Sequence, residues 1–197
     1  MTSPWLSSGP LSHLSAAEVC LLRARFGRGD ELTRLVAIGR WLRSQEFSRA
    51  SAGGTTIGRI TASELLAAHH LGGCHDEALL YVASARAVAI PARVVHGVGR
   101  AWARAFAAGN DDGTWVGHFH VEALVADGCV LVDPAVPDRF VFDWDPTAVV
   151  LPDLGGHSQG GFLVSHRGLD AADAGIPDVD ALFTAMARVA RTAVLTP

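Results

Sequence analysis

Apolar residues in the first half of the chain recur at three- and four-residue intervals, the spacing of one helical face. Ser15 and Glu18 form a capping box that opens an apolar stretch through Phe26, closed by Gly27 and Gly29. A second helix is predicted over residues 30–47, with Leu32, Leu35, Val36, Ile38 and Leu42 largely on one side. Thr61 and Glu64 make another capping box, which starts a short helix ending near Leu71. Gly72-Gly73 breaks the pattern, and a new helix begins at or beside Cys74. It runs to about Val88, because Pro91 pushes Ile90 into an extended conformation.

Beyond Pro91 the period shortens. Residues 92–98 are β-like, and residues 114–125 alternate between apolar and polar. Asp127-Gly128 is a hairpin signal, with residues 129–133 as the return strand. Residues 110–113 (Asn-Asp-Asp-Gly) read as a turn, and residues 51–58 and 155–161 as loops, the latter flexible and at the surface. At the C-terminus Val179, Leu182, Phe183, Met186 and Val189 stand at helical spacing over residues 178–194. Helices followed by strands make an α+β fold. With no internal repeat and no linker, residues 1–197 are expected to form one domain.

Composition narrows the function classes. The net charge is −4, which offers no electrostatic pull toward nucleic acid or an anionic membrane. Half the residues are hydrophobic, yet no apolar run reaches the ~18 residues of a spanning helix. The N-terminus lacks the basic start and apolar core of a secretory signal, so a cytoplasmic location is expected. Three cysteines, an odd and small number, argue for reduced thiols rather than a disulfide framework. All 16 basic residues are Arg; without a Lys, Schiff-base, pyridoxal-phosphate and P-loop chemistry are all excluded. Residues 155–161 (Gly-Gly-His-Ser-Gln-Gly-Gly) therefore make no phosphate cradle, and no cofactor is expected.

Three short segments carry candidate chemistry. In the first, Gly72-Gly73-Cys74-His75-Asp76-Glu77, a thiol stands at a helix start, where free N–H groups and the positive dipole end favour a thiolate. Asp76 and Glu77 oppose that effect, so a basic partner is required. In the second, Gly117-His118-Phe119-His120-Val121-Glu122, strand alternation puts His118, His120 and Glu122 on one face. In the third, Val130-Leu131-Val132-Asp133-Pro134, a two-residue turn at 127–128 would pair 122 with 133 and turn Asp133 to the histidine face. There it could accept from one imidazole and aim the other nitrogen at the sulfur. That register brings Asp133 nearer His120 than His118.

Together these segments resemble the transglutaminase-like superfamily, a branch of the papain-like cysteine enzymes. That family has a Gly-x-Cys helix start, a G-I-P-A-R segment, H-A-W-V-E and a V-D-P-T strand end. This chain has GGCHDEA, VAIPARVVHGVG, HFHVEALV and LVDPAV in the same order, over roughly residues 60–137. His120 replaces the usual Trp, Val88-Ala89 the usual Arg/Lys-Ala-Gly run, and Ala135 the usual Thr. The resemblance implies N-terminal helices, with the nucleophile helix packed on an antiparallel sheet. It places Cys74 on the nucleophile, His118 on the base and Asp133 on the third member. It further implies acyl transfer from an amide, ester or thioester of a small molecule or peptide, with water or an amine as acceptor.

Blander assignments compete. Cys20, inside an amphipathic helix, and Cys129, on a strand, read as core residues. Asp133 could be a turn former beside Pro134. Glu122 reads as a salt-bridge partner for Arg93; His69, His70 and His75, close to Cys74 in sequence, could contribute to a cleft but read first as exposed helix residues. Gln45 and Trp41 are candidates for a second oxyanion donor. Two other classes stay open: a metal-binding β-domain built on His118 and His120, and a transglutaminase-like module that binds without catalysis.

Overall fold

The computed structural model describes residues 3–49, 56–110 and 113–193. The N-terminal half is helical: α1 (Ala16–Phe26), α2 (Glu31–Leu42), α3 (Ala62–Ala68) and α4 (Cys74–Ala87). Both predicted capping boxes are formed, by Ser15 with Glu18 and by Thr61 with Glu64. α2 stops at Leu42 rather than near 47, because Arg43 caps it and residues 44–47 turn. α3 stops at Ala68, where His69 takes a left-handed conformation at φ 48°. The next residues form a two-residue strand, β2 (His70–Leu71), parallel to β1 (Ser48–Arg49).

Seen from the sheet, α4 is the central element. Every residue from His75 to Ala87 is buried, including the acids of the first turn and Arg86 near the end, so the helix is enclosed by the fold on all sides. Its many alanines let α1, α2 and α3 close on one side and strands β3 (Ala92–Gly99) and β4 (Gly117–Val125) on the other. The one large polar side chain in its middle, Tyr81, donates to the Leu35 carbonyl at 2.9 Å. The sheet continues through β5 (Gly128–Val132), β6 (Phe140–Val141), β7 (Val150–Leu151) and β8 (Phe162–Gly168). Its order is β6-β5-β4-β3-β8-β7, antiparallel throughout.

Alternation on β4 sorts its side chains into two environments. Phe119 and Val121 join the main core with α4, whereas His118 and His120 lie against Phe162, part of a smaller cluster with Val95 and Leu131. The hydrophobic pattern announced neither α5 (Arg100–Ala107), between β3 and β4, nor the interior strand β8, nor the two-residue strands β1, β2, β6 and β7. α5 packs with the C-terminal helix α6 (Val179–Ala193). The predicted 51–58 loop and 110–113 turn fall partly, and Val194 wholly, outside the described residues.

Candidate active site

The Cys74 thiol stands at the first position of α4 and is half-buried, so it is reachable from solvent. Gly73 precedes it with a φ of 156°, a conformation that a side chain would oppose, and makes no side-chain cap. The first-turn N–H groups, beginning with that of Cys74, thus lack an intrahelical partner and face the sulfur's side of the helix end. The two acids that follow are occupied elsewhere. Asp76 accepts from the Gly72 N–H at 2.7 Å and from Thr56 at 3.0 Å, and bonds His75 Nδ1 at 2.9 Å. Glu77 pairs with Arg43 at 2.9 Å and with Arg49. Glu77 is thus balanced by arginines from the end of α2 and from β1, and Asp76 is held by hydrogen bonds at the helix start.

β4 and β5 bring the other two predicted residues to the same point. His118 Nε2 donates to Asp133 Oδ1 at 2.9 Å, and the Cys74 thiol is near enough to the imidazole to favour its protonated form. With Nε2 committed to the carboxylate, Nδ1 is the nitrogen left for sulfur. Burial works to deprotonate His118, but the bond to Asp133 and the nearby Cys74 outweigh that and push its pKa up to about 10. Burial likewise penalises the Asp133 charge, yet the bond to His118 and the Ala135 N–H at 2.9 Å hold its pKa below the usual carboxylate value.

The hairpin register differs from the predicted one. Val125 pairs with Gly128 and Leu124 with Cys129, so the turn is Ala126-Asp127 instead of Asp127-Gly128. Glu122 faces Leu131 rather than Asp133. The offset is two residues along the partner strand, so Asp133 keeps its face while moving along it toward His118. Continued by one residue, this register sets Asp133 opposite His120 with His118 on the diagonal, and the carboxylate bonds the diagonal imidazole.

Among the described residues His120 has no hydrogen-bond partner on either ring nitrogen. Both nitrogens are buried, and burial together with the neighbouring His118 pushes its pKa down to about 3, so it is neutral. Its ring meets that of His118 edge-on at 4.7 Å. His118, His120 and Asp133 offer ligand atoms within 4.8 Å of one another, a donor set that suits Zn²⁺. Glu122 is structural: fully buried, it accepts from Arg93 at 2.7 Å, Arg167 at 3.0 Å and Trp144 at 2.9 Å.

Several expectations drawn from the amino-acid order change. Cys20 is exposed on α1 instead of buried, because it lies on the outer side of the helix from Leu22 and Phe26. Cys129 is buried as expected, and burial and Glu122 push its thiol up to about 11. Trp41 donates to the exposed Glu46 at 3.1 Å, and Gln45 is exposed, so the structure supports neither as an oxyanion donor. His75 is buried rather than exposed. His157, from the 155–161 loop, lies 3.9 Å from Asp133 Oδ2 with its ring 4.5 Å from that of His118. No local spacing signals that approach; it depends on the loop folding back across the sheet.

The family model of the transglutaminase-like superfamily matches residues 22–134, more than half of the chain. The chain belongs to the transglutaminase-like superfamily. Cys74 and Asp133 both fall inside the matched span. Among curated proteins no sequence matches this superfamily member. A solved structure of a candidate cysteine protease from Cytophaga hutchinsonii is similar in fold, with a TM-score of 0.59 at 21% identity. The similarity covers 88% of this transglutaminase-like chain and 48% of that protein, so the chain spans about half its length.

Proposed function

We propose that this transglutaminase-like chain is a cysteine-nucleophile acyl-transfer enzyme, with Cys74 as nucleophile, His118 as base and Asp133 as the carboxylate that orients it. The observation that carries this reading is the His118–Asp133 hydrogen bond beside the Cys74 thiol, which stands at the half-buried start of a buried helix and favours the protonated imidazole. In the forward step His118 Nδ1 takes the thiol proton, and the sulfur attacks an amide, ester or thioester carbonyl. Negative charge developing on that oxygen is met by the Cys74 N–H and the positive end of α4. His118 then returns its proton to the leaving group, and an acyl-enzyme remains. Water or an amine resolves it, His118 accepting the incoming proton and passing it to the sulfur. Asp133 keeps Nε2 protonated throughout, which fixes the tautomer that presents Nδ1 to the thiol.

Iodoacetamide labelling read by peptide mass spectrometry tests this proposal. Cys74 should alkylate at least about tenfold faster than Cys20, which is exposed but has no base beside it. His118→Ala should erase the difference. Cys74→Ala should abolish any acyl adduct while leaving the circular dichroism spectrum unchanged. Equal labelling rates for Cys74 and Cys20 in the native protein would remove the activated thiol from the mechanism.

A second reading is favoured by His120, whose two nitrogens are unpartnered beside His118 and Asp133. It makes these residues a metal centre. One equivalent of tightly bound Zn²⁺ lost in His120→Ala, without preferential Cys74 labelling in the apoprotein, would favour it over acyl transfer.

A further inference from the structure

One cavity among the described residues opens directly on the proposed nucleophile. It has a volume of about 440 Å³ and is lined by Cys74, Gly73 and His75 at the helix start. Its main walls are Trp115, Phe119, Leu182, Phe183 and Met186. Three of these come from α6, which lies far along the chain from the triad. Trp115 and Phe183 stack at 4.4 Å with ring planes 19° apart, forming a flat aromatic wall.

Most polar groups on this wall already have partners, the exception being His75 Nε2, which is buried and unbonded among the described residues. Asp76 is occupied by Gly72, Thr56 and His75, and His96 Nδ1 is bonded to Ser165 Oγ at 2.6 Å. No arginine lines the space, and Asp76 would repel an anion. An apolar group entering here gains burial without stripping water from an unpaired charge. By volume the cavity is roughly three times one that holds a benzene molecule, so it admits a group of about ten to fifteen non-hydrogen atoms.

Which part of the substrate enters follows from the proton inventory. The departing heteroatom must receive its proton from His118, so it has to lie beside that imidazole. Cys74 lines the cavity; His118 and Asp133 do not. The portion that stays attached to sulfur therefore lies inside, and the leaving group lies outside on the His118 side. Gly117 is at the boundary: a Cβ there would come within 2.7 Å of His96 Nε2 and 3.0 Å of Met186 Cε, narrowing the same space.

We infer that the substrate's acyl group is a medium-length, uncharged apolar chain or aryl-alkyl group, seated between the α4 start and the α6 face while bonded to Cys74. This rests on the acyl-transfer reading above and names its donor class. With an ester donor, the sulfur–carbon bond forms as the carbon–oxygen bond breaks, and the His118 proton goes to the departing oxygen. Water then cleaves the thioester, returning a carboxylic acid and the free thiol.

The test is turnover of p-nitrophenyl esters of straight-chain acids from acetyl to decanoyl, with Cys74→Ala as the background. The leaving group is constant, so only acyl contacts vary. The value of kcat/KM should rise about threefold to fourfold per methylene up to about eight carbons, the increment for burying one CH₂. Met186→Trp, which fills the cavity, should lower the octanoyl-to-acetyl ratio by about tenfold or more. Leu182→Ala, which enlarges it, should raise the decanoyl-to-octanoyl ratio, and it keeps the test alive should the tryptophan variant fail to fold. A flat profile from acetyl to octanoyl with Cys74 still acylated would overturn this inference and leave the acyl-transfer reading standing. If no ester acylates Cys74, both fall.

Discussion

His118 has two neighbours that both favour its protonated form, the Asp133 carboxylate bonded to Nε2 and the nearby Cys74. A pKa pushed up to about 10 lets His118, in the proposed mechanism, hold the proton it takes from Cys74 as an imidazolium at neutral pH until the leaving group accepts it. The rate should therefore fall in alkali along a limb near pH 10. In Asp133→Asn the carboxylate is lost, the imidazolium is less favoured, and that limb should move to lower pH by about one unit or more. A pH profile of kcat/KM for the two proteins checks this. The linkage to stability has a defined sign: His118 is raised above its unfolded value of 6.5, so its contribution is complete below about pH 6.5 and is lost as pH climbs toward 10. Chemical denaturation at pH 6 and pH 10 should show this loss in the native protein and a smaller one in Asp133→Asn. His118 and Asp133 were legible as residues because motif and alternation point to them together. His157 and His75 were not, since a single histidine in a loop or first helical turn has no pattern to mark its burial or its neighbours.

At the scale of one element, the start of α4 is a small self-contained device. Asp76, at the third helical position, reaches back to the Gly72 N–H, while Thr56 and His75 hold the same carboxylate. The turn that presents Cys74 is thereby tied to the helix it begins. Asp76→Ala would strand the Gly72 N–H and the His75 ring in a buried site, at a cost of roughly 1–3 kcal/mol. Urea denaturation should report that loss. Activity should fall further than stability, through kcat, because the sulfur and the Cys74 N–H lose their common mounting. The β4–β5 hairpin shows the opposite dependence on detail. Its face was readable from alternation alone, but its register was not. A turn starting at Ala126 or at Asp127 preserves the same side-chain face and differs by two residues along the strand, and only packing against β3 and Phe162 chooses between them.

Across the whole molecule, the N-terminal arm, α4 and the segment after β8 are joined by one buried polar cluster. Asp170 accepts from the Leu11 N–H at 2.7 Å, the Ser12 N–H at 2.9 Å and Ser12 Oγ at 3.1 Å. Arg86 donates to the same Ser12 Oγ at 2.8 Å and to the carbonyls of Trp5, Ala92 and Leu169. Asp170→Ala leaves these donors without an acceptor and the buried guanidinium without its counter-charge. The expected cost is roughly 3–5 kcal/mol, measurable as a lower urea midpoint. Because the cluster is remote from the triad, activity per folded molecule should hold at low temperature. None of this pairing was visible in the chain, where Ser12, Arg86 and Asp170 are more than 70 residues apart and each belongs to a type usually found at the surface.

By itself the amino-acid order determined the helical first half, the thiol at a glycine-preceded helix start, and the strand whose alternation puts two histidines on one face. These are local consequences of backbone sterics, capping and period, so adjacent residues suffice to specify them. The tertiary structure decided which imidazole meets the sulfur, how the acids beside Cys74 are neutralised, and that the C-terminal helix walls the cavity at the site. Each of these depends on segments distant in the chain meeting in space, where burial and long-range pairing set charge and position.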